Sequence, residues 1–123
     1  CVIKLINLSS ILSDLTNYKS IFGKQIPVWN GKKIKPRYVW SNFVNEKIVN
    51  MYSDLENRYF HHNAAAFYKK TFLLDNPFDP NLQSKEDRYW ANEIIKKNNK
   101  ILYNPEFQVF HHYTINGNTW KGI

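Results

Sequence analysis

The sequence predicts a single α/β domain, because short segments with helical and with strand spacing of apolar residues alternate along its 123 residues. Hydrophobic residues make up 43% of the chain, which is enough to bury a core. No run approaches the roughly 18 apolar residues that a membrane-spanning helix needs. A single cysteine, Cys1, excludes an internal disulfide. We therefore expect one domain over residues 1–123, with helices packed on a sheet.

The first part of the chain predicts a helix followed by a strand. Apolar residues recur at helical spacing at Leu5, Leu8, Ile11, Leu12 and Leu15. Residues 17–19 break this pattern. Residues 20–23 are expected to form a short strand that leads into residues 24–27, and a polar connection then runs to Arg37.

The middle of the chain predicts a helix over residues 38–52. Its inner face comprises Trp40, Phe43, Val44, Ile48 and Met51. Residues 58–62 are expected to form a strand that turns at Asn63 into a second helix over the alanine-rich residues 64–70.

The last part predicts a helix over residues 85–98 and strands at residues 100–103 and 108–111. Ser84 is the expected N-cap, and the position of Asp87 three residues later has the spacing of a capping box. Because a helix N-terminus favours negative charge, Asp87 is expected to be ionised near neutral pH and able to accept a proton. His111, on the last strand, brings a neutral imidazole that can bind a metal.

The net charge of +7 is concentrated in residues 1–50, which carry +6, whereas residues 51–123 carry +1. This part includes a basic cluster in a predicted loop: Lys32, Lys33, Lys35 and Arg37. Together with Tyr38 and Trp40, such a cluster can bind phosphate, anionic lipid or nucleic acid. A solvated loop is the simpler interpretation in a Lys- and Asn-rich sequence. No motif that reads RNA or DNA is present, so we expect no nucleic-acid partner.

Five sequence blocks follow one another between residues 23 and 111. They are Gly23-Lys24-Gln25-Ile26-Pro27, His62-Asn63-Ala64-Ala65-Ala66 with Lys69-Lys70, Pro77-Phe78-Asp79, Glu86-Asp87-Arg88-Tyr89-Trp90-Ala91, and Tyr103-Asn104-Pro105 running into Val109-Phe110-His111. With these blocks, residues 20–123 resemble the C-terminal half of a family-two glycosyltransferase of the GT-A fold, similar to the bacterial rhamnosyltransferase-like members. The resemblance implies the C-terminal portion of a Rossmann-like α/β domain.

The resemblance also implies roles for individual residues. Asp87 is expected to be the general base of an inverting transfer. Glu86 is either a second carboxylate beside it or simply an acidic residue of the first helical turn. Substrate contacts are expected from Gln25, Asn63, Arg88 and Trp90. His111 is the expected ligand of a divalent cation, Mn²⁺ or Mg²⁺, and imidazole suits manganese better.

The implied partners are a nucleotide-sugar donor and a glycan or lipid-linked acceptor. These place the enzyme in polysaccharide biosynthesis, in the cytoplasm, with peripheral contact at the inner face of the membrane. The sequence departs from the family in one respect, since it contains no Asp-x-Asp pair. We therefore expect the nucleotide-binding half to be missing and the chain alone to be inactive.

Other interpretations remain open at this stage. A non-catalytic carbohydrate-binding domain would use Trp40, Trp90 or Trp120 as sugar platforms, and a basic nucleic-acid-binding module would use the cluster at residues 32–37. The histidine pairs at 61–62 and 111–112 could form a four-histidine metal cluster. Asn63 could instead be the N-cap of the helix at residues 64–70, and Trp90 could be a core residue.

Overall fold

The computed structural model describes residues 2–29, 32–33 and 42–112, and these residues form a mixed α/β fold. The strands are β1 Val2–Leu5, β2 Ser20–Trp29, β3 Lys32–Lys33, β4 Ile48–Val49, β5 Tyr52–Ser53, β6 Arg58–Tyr59, β7 Ala66–Tyr68 and β8 Ile101–His112. The helices are α1 Leu8–Asp14, α2 Lys70–Asp75 and α3 Glu86–Lys96, and a 3-10 helix Asn63–Ala65 precedes β7. The predicted α/β class is confirmed. No helix among the described residues has the length and apolar character to cross a bilayer.

Strands β2 and β8 form the centre of a mixed sheet and run parallel to each other. The outer edge of β8 carries two antiparallel strands, β1 at one end and β4 at the other. The outer edge of β2 likewise carries β3 and β7, both antiparallel. Strands β5 and β6 form a separate hairpin.

The register between β2 and β8 shifts in the middle of the sheet. Gly23 is opposite Asn104, but the next residue, Lys24, is opposite Gln108, so three residues of β8 bulge out. A Cβ atom on Gly23 would lie 2.4 Å from the carbonyl oxygen of Phe107, within the bulge. Glycine therefore allows the two central strands to approach each other at this point.

The alternation of side chains along β2 and β8 builds a core on each face of the sheet. Ile21 and Leu102 face a cluster that α1 covers with Ile11. Their neighbours Phe22 and Tyr103 face a larger cluster. The helix α3 covers this second cluster with Trp90, Ala91, Ile94 and Ile95.

The helices at both ends of the chain occur where the sequence predicts them, with shifted starts. Leu5 lies in β1, and α1 begins at Leu8 after an Asn7 side chain that accepts a hydrogen bond from the Ser10 amide, 3.2 Å away. In α3 the predicted capping box is wrong. The N-cap is Lys85, in a left-handed conformation with φ of 61°, and no side chain caps the helix. The two predicted C-terminal strands are one strand, β8, with the bulge between them.

The predicted helix over residues 38–52 is wrong for the part that the structure describes, residues 42–52. Ile48 and Val49 pair with β8, and Asn50 binds Ile101 through both its backbone amide and its side-chain oxygen. Phe43 and Met51 are buried, as predicted, although neither lies in a helix, whereas Val44 is exposed.

The predicted helix over residues 64–70 is also wrong. Residues 66–68 pair with residues 20–22 of β2, and α2 begins only at Lys70. Pairing with a central strand therefore overrides the helix propensity of the alanines.

Candidate functional site

The side chain of Asp87 is buried at the beginning of α3 and is held by two backbone amides. Asp87 is 7% exposed. Its Oδ2 accepts a hydrogen bond of 2.7 Å from the amide of Asn63, and its Oδ1 accepts one of 2.9 Å from the amide of Arg88. The carboxylate thus joins α3 to the first residue of the 3-10 helix, and each oxygen keeps a lone pair for another donor.

Burial raises the pKa of the Asp87 carboxyl above its ordinary value. The Asn63 amide, the Arg88 guanidinium and the Arg88 amide oppose this rise, whereas the Glu86 carboxylate adds to it. A carboxylate with a raised pKa is a stronger base, so it is better matched to accepting a proton near neutral pH. Burial is the dominant effect, and the position of Asp87 at a helix N-terminus does not reveal it.

Asn63 is exposed beside this carboxylate and is bound by a tyrosine. The hydroxyl of Tyr68 donates a hydrogen bond of 2.7 Å to Asn63 Oδ1. The pKa of the Tyr68 hydroxyl is raised by burial and by the charges of Asp87 and Glu86, so it stays protonated. Asp87, Glu86, Asn63 and Tyr68 therefore form one polar cluster, which we call the Asp87 cluster. The predicted role of Asn63 as N-cap is wrong, because His62 is the N-cap of the 3-10 helix.

Gln25 and His62 form a second buried pair next to this cluster. The side-chain nitrogen of Gln25 is 2.6 Å from Nδ1 of His62. Burial, the Arg88 charge and His111 lower the pKa of His62 to about 3. The Oε1 atom of Gln25 is buried without a hydrogen-bond partner among the described residues.

His111 lies close enough to His62 that its charge lowers the pKa of that residue. His111 is partly buried and His112 is exposed, as expected for neighbours on a strand. Burial also lowers the pKa of His111, with a contribution from His112, which favours the neutral form that binds metals. His62 is followed in the chain by Asn63, whose backbone amide binds Asp87.

A divalent cation would find only part of its coordination sphere here. The neutral imidazole of His111 is a suitable single ligand. Within residues 2–29, 32–33 and 42–112, however, no group of three or more His, Cys, Asp or Glu side chains could hold a metal ion. The four-histidine cluster is therefore not found in this part of the chain.

Two residues predicted to contact substrate lie behind the Asp87 cluster. Arg88 forms a buried ion pair with Glu56, with 3.2 Å between Nε and Oε1. Trp90 is 5% exposed and its indole nitrogen donates a hydrogen bond of 2.6 Å to the carbonyl of Asn76. The Trp90 ring packs edge-to-face against the Tyr68 ring, with 5.4 Å between their centroids. In this position Trp90 supports Tyr68 from the core.

A groove of about 380 Å³ lies beside α3 and the loop that follows α2. It is lined by Asn76, Pro77, Asp79, Leu82, Tyr89, Trp90, Glu93, Ile94 and Lys97. Neither Asp87 nor Asn63 lines it, so the groove is separate from the Asp87 cluster.

Sequence reasoning missed three residues at or near the site. Tyr68 carried no signal, because it was expected within a helix over residues 64–70 that begins directly after Asn63. His62 stands in a recognised sequence block but was considered only as part of a metal cluster. Glu56 has no sequence feature that distinguishes it from the other acidic residues. Two residues of the predicted basic loop, Lys32 and Lys33, are among the described residues, and they form β3. Lys35, Arg37, Trp40 and Trp120 lie outside the described residues.

The fold and the site together define a mixed α/β protein with a buried carboxylate beside an exposed amide. Comparison with protein-family models, with curated proteins and with solved structures gives no match for this chain.

Proposed function

We propose that the chain is the acceptor-side portion of an inverting glycosyltransferase of the GT-A type, with Asp87 as the general base. The observation that carries the proposal is the Asp87 carboxylate itself. It is buried, its pKa is raised, and both of its oxygens are fixed by backbone amides beside the exposed Asn63. A positioned, partly desolvated carboxylate next to hydrogen-bonding groups is what proton removal from a sugar hydroxyl requires.

The transfer would proceed by in-line displacement. As the acceptor oxygen forms a bond to the anomeric carbon of the donor, its proton passes to Asp87. The bond from that carbon to the diphosphate breaks on the opposite face, and its electron pair leaves with the diphosphate. Configuration at the anomeric carbon is therefore inverted.

The donor side of the proposal rests on His111. A divalent cation, when bound, would neutralise charge on the departing diphosphate. His111 would supply one ligand, and the other ligands would come from the nucleotide and from outside the described residues. Because the sequence has no Asp-x-Asp pair, the proposal assigns nucleotide binding to a further segment and expects little or no turnover from these 123 residues alone.

The proposed base is tested by Asp87→Asn in the enzyme that includes its nucleotide-binding half. We expect turnover to fall about 100-fold to 10,000-fold, the usual contribution of a positioned base. Donor binding should change little. The measurement is release of nucleoside diphosphate from a panel of nucleotide sugars with Mn²⁺, in the presence of glycan acceptors.

The matched control is Asp54→Asn, which makes the same chemical change at an exposed residue in the turn between β5 and β6. This variant should keep its activity. An Asp87→Asn enzyme that retained most of its turnover would remove Asp87 from the mechanism.

A further inference from the structure

Tyr68 has a rigid position at the edge of the Asp87 cluster. Its ring is at the end of β7 and packs against three aromatic rings of the core, those of His61, Phe78 and Trp90. Its hydroxyl donates a hydrogen bond of 2.7 Å to Oδ1 of the exposed Asn63. The packed ring therefore fixes the position of the hydroxyl, which makes the hydrogen bond to Asn63.

This hydrogen bond determines which atoms Asn63 can offer to a ligand. The Tyr68 hydroxyl stays protonated next to two carboxylates, so it acts as a donor and requires the amide oxygen as its acceptor. The amide nitrogen then faces away with two hydrogens, and no described residue accepts from it. Since Asn63 is exposed, those hydrogens are available to a bound molecule.

The cluster thus places one donor beside one acceptor. The Asn63 amide nitrogen donates, and the Asp87 carboxylate accepts. The hydrogen bond of 2.7 Å from the Asn63 backbone amide to Asp87 Oδ2 holds the two residues together. Two neighbouring hydroxyl groups match this pattern, because one can donate to the carboxylate while the oxygen of the other accepts from the amide.

We propose that Tyr68 is a positioning residue that orients the Asn63 amide, and that Asn63 and Asp87 together bind a vicinal diol of the acceptor sugar. The inference rests on the proposed function for the identity of that diol. It assigns the hydroxyl that donates to Asp87 as the attacking one, and the neighbouring hydroxyl as the group that Asn63 recognises.

The test uses ¹⁵N-labelled chain and two probes. Methyl α-D-mannopyranoside carries vicinal hydroxyls, and tetrahydropyran-2-methanol keeps the ring with a single hydroxyl. We expect the mannoside to shift the Asn63 side-chain amide signals saturably and the single alcohol to leave them unmoved. In Tyr68→Phe the mannoside should bind about fivefold to tenfold more weakly, the usual effect of one lost hydrogen bond.

Controls separate positioning from general structural support. Tyr59→Phe makes the same change on the β5–β6 hairpin and should leave mannoside binding unchanged. In an Asn63→Ala background, Tyr68→Phe should have no further effect on binding, because the residue through which it acts is gone. If Tyr68→Phe did not fold, Asn63→Ala alone would replace it and should abolish the preference for the mannoside over the single alcohol.

Equal mannoside binding by wild type and Tyr68→Phe would overturn the inference, as would a wild-type chain whose Asn63 signals do not move. The transfer assay on Asp87→Asn keeps the two proposals apart. Tyr68-dependent mannoside binding together with full turnover of Asp87→Asn would reject the proposed function and the assignment of the attacking hydroxyl, but not diol binding or the positioning role of Tyr68. Loss of turnover in Asp87→Asn with unchanged mannoside binding in Tyr68→Phe would reject only the role of Tyr68.

Discussion

Glu56 and Arg88 are an ion pair whose charges are almost fully removed from water. The side chain of Arg88 is 10% exposed and that of Glu56 is 4% exposed. Arg88 Nε lies 3.2 Å from Glu56 but lacks an aligned hydrogen-bond acceptor among the described residues. The two side chains therefore interact mainly through their opposite charges, and each charge offsets part of the desolvation cost of burying the other.

Glu56→Gln should lower the free energy of unfolding by about 3–5 kcal/mol, because Arg88 is left as an uncompensated buried charge. Urea denaturation at pH 7 measures this loss. The comparison is Glu106→Gln, which removes the exposed pair between Lys47 and Glu106, separated by 4.0 Å. That change should cost less than about 1 kcal/mol, and equal losses in the two variants would contradict the argument.

Individual site residues were predictable from the sequence in type but not in environment. Asp87 was recognisable as an acidic residue at a helix start. Its burial, and its bond to Asn63, depend on a contact across 24 residues. Arg88, the next residue in the chain, instead reaches toward Glu56 and away from any substrate at Asp87, and nothing local predicts that direction.

At the scale of elements, the bulge in β8 determines how the two central strands meet. Residues 105–107 leave the ladder, and the Asn104 side chain accepts a hydrogen bond of 3.0 Å from the Glu106 amide across them. After the bulge, the register places Gln25 opposite Val109 and Pro27 opposite His111. The position of His111 relative to β2 thus depends on Gly23 and this bulge.

Gly23→Ala should destabilise the fold by about 1–3 kcal/mol, the cost of overpacking a close contact. The new methyl group would meet the backbone oxygen of Phe107 at 2.4 Å, and backbone cannot move aside as a flexible side chain can. Thermal unfolding checks this, with Ser13→Ala on the exposed side of α1 as a control expected within about 0.5 kcal/mol of wild type. Unchanged stability in Gly23→Ala would mean that the strands can separate at little cost.

Elements with a local signal were predicted well. The helix α3 has a regular apolar stripe and ends at Lys96, and Asn98, two residues later, has a positive φ of 67°. By contrast, residues 48–49 and 66–68 form strands only because β8 and β2 present open edges to them. Their sequences contain helical spacing or alanines, so a prediction without the partner strand assigns them wrongly.

At the scale of the whole molecule, two buried histidines link stability to pH. His61 is enclosed, with its Nε2 at 3.0 Å from the hydroxyl of Ser20. Burial, assisted by the Arg88 charge, lowers the pKa of both His61 and His62 from 6.5 to about 3. Between these values the unfolded state binds more protons than the folded state, so stability falls as pH falls below about 6.5.

The free energy of unfolding should therefore decrease between pH 7 and pH 5 by as much as about 1.4 kcal/mol per pH unit for each histidine. The raised pKa of Asp87 opposes this trend. Around and below that pKa the folded state binds more protons at Asp87 than the unfolded state does, so this residue adds stability as pH falls. Urea denaturation at several pH values gives the slope. His62→Gln should reduce the slope by about a third to a half, since the lowered pKa of His111 also contributes. His112→Gln, at an exposed position, should leave the slope unchanged. A stability that does not change with pH across this range would contradict buried neutral histidines.

The sequence by itself determined the α/β class, the helices α1 and α3, the strand at residues 20–23 and the acidic start of α3. These features depend on interactions between residues a few positions apart, which periodicity and local propensity record. Only the tertiary structure decided the strands at residues 48–49 and 66–68, the direction of Arg88 and the bond between Tyr68 and Asn63. Each of these depends on a partner that folding brings close, and the free energy of that contact exceeds the local preference of the segment.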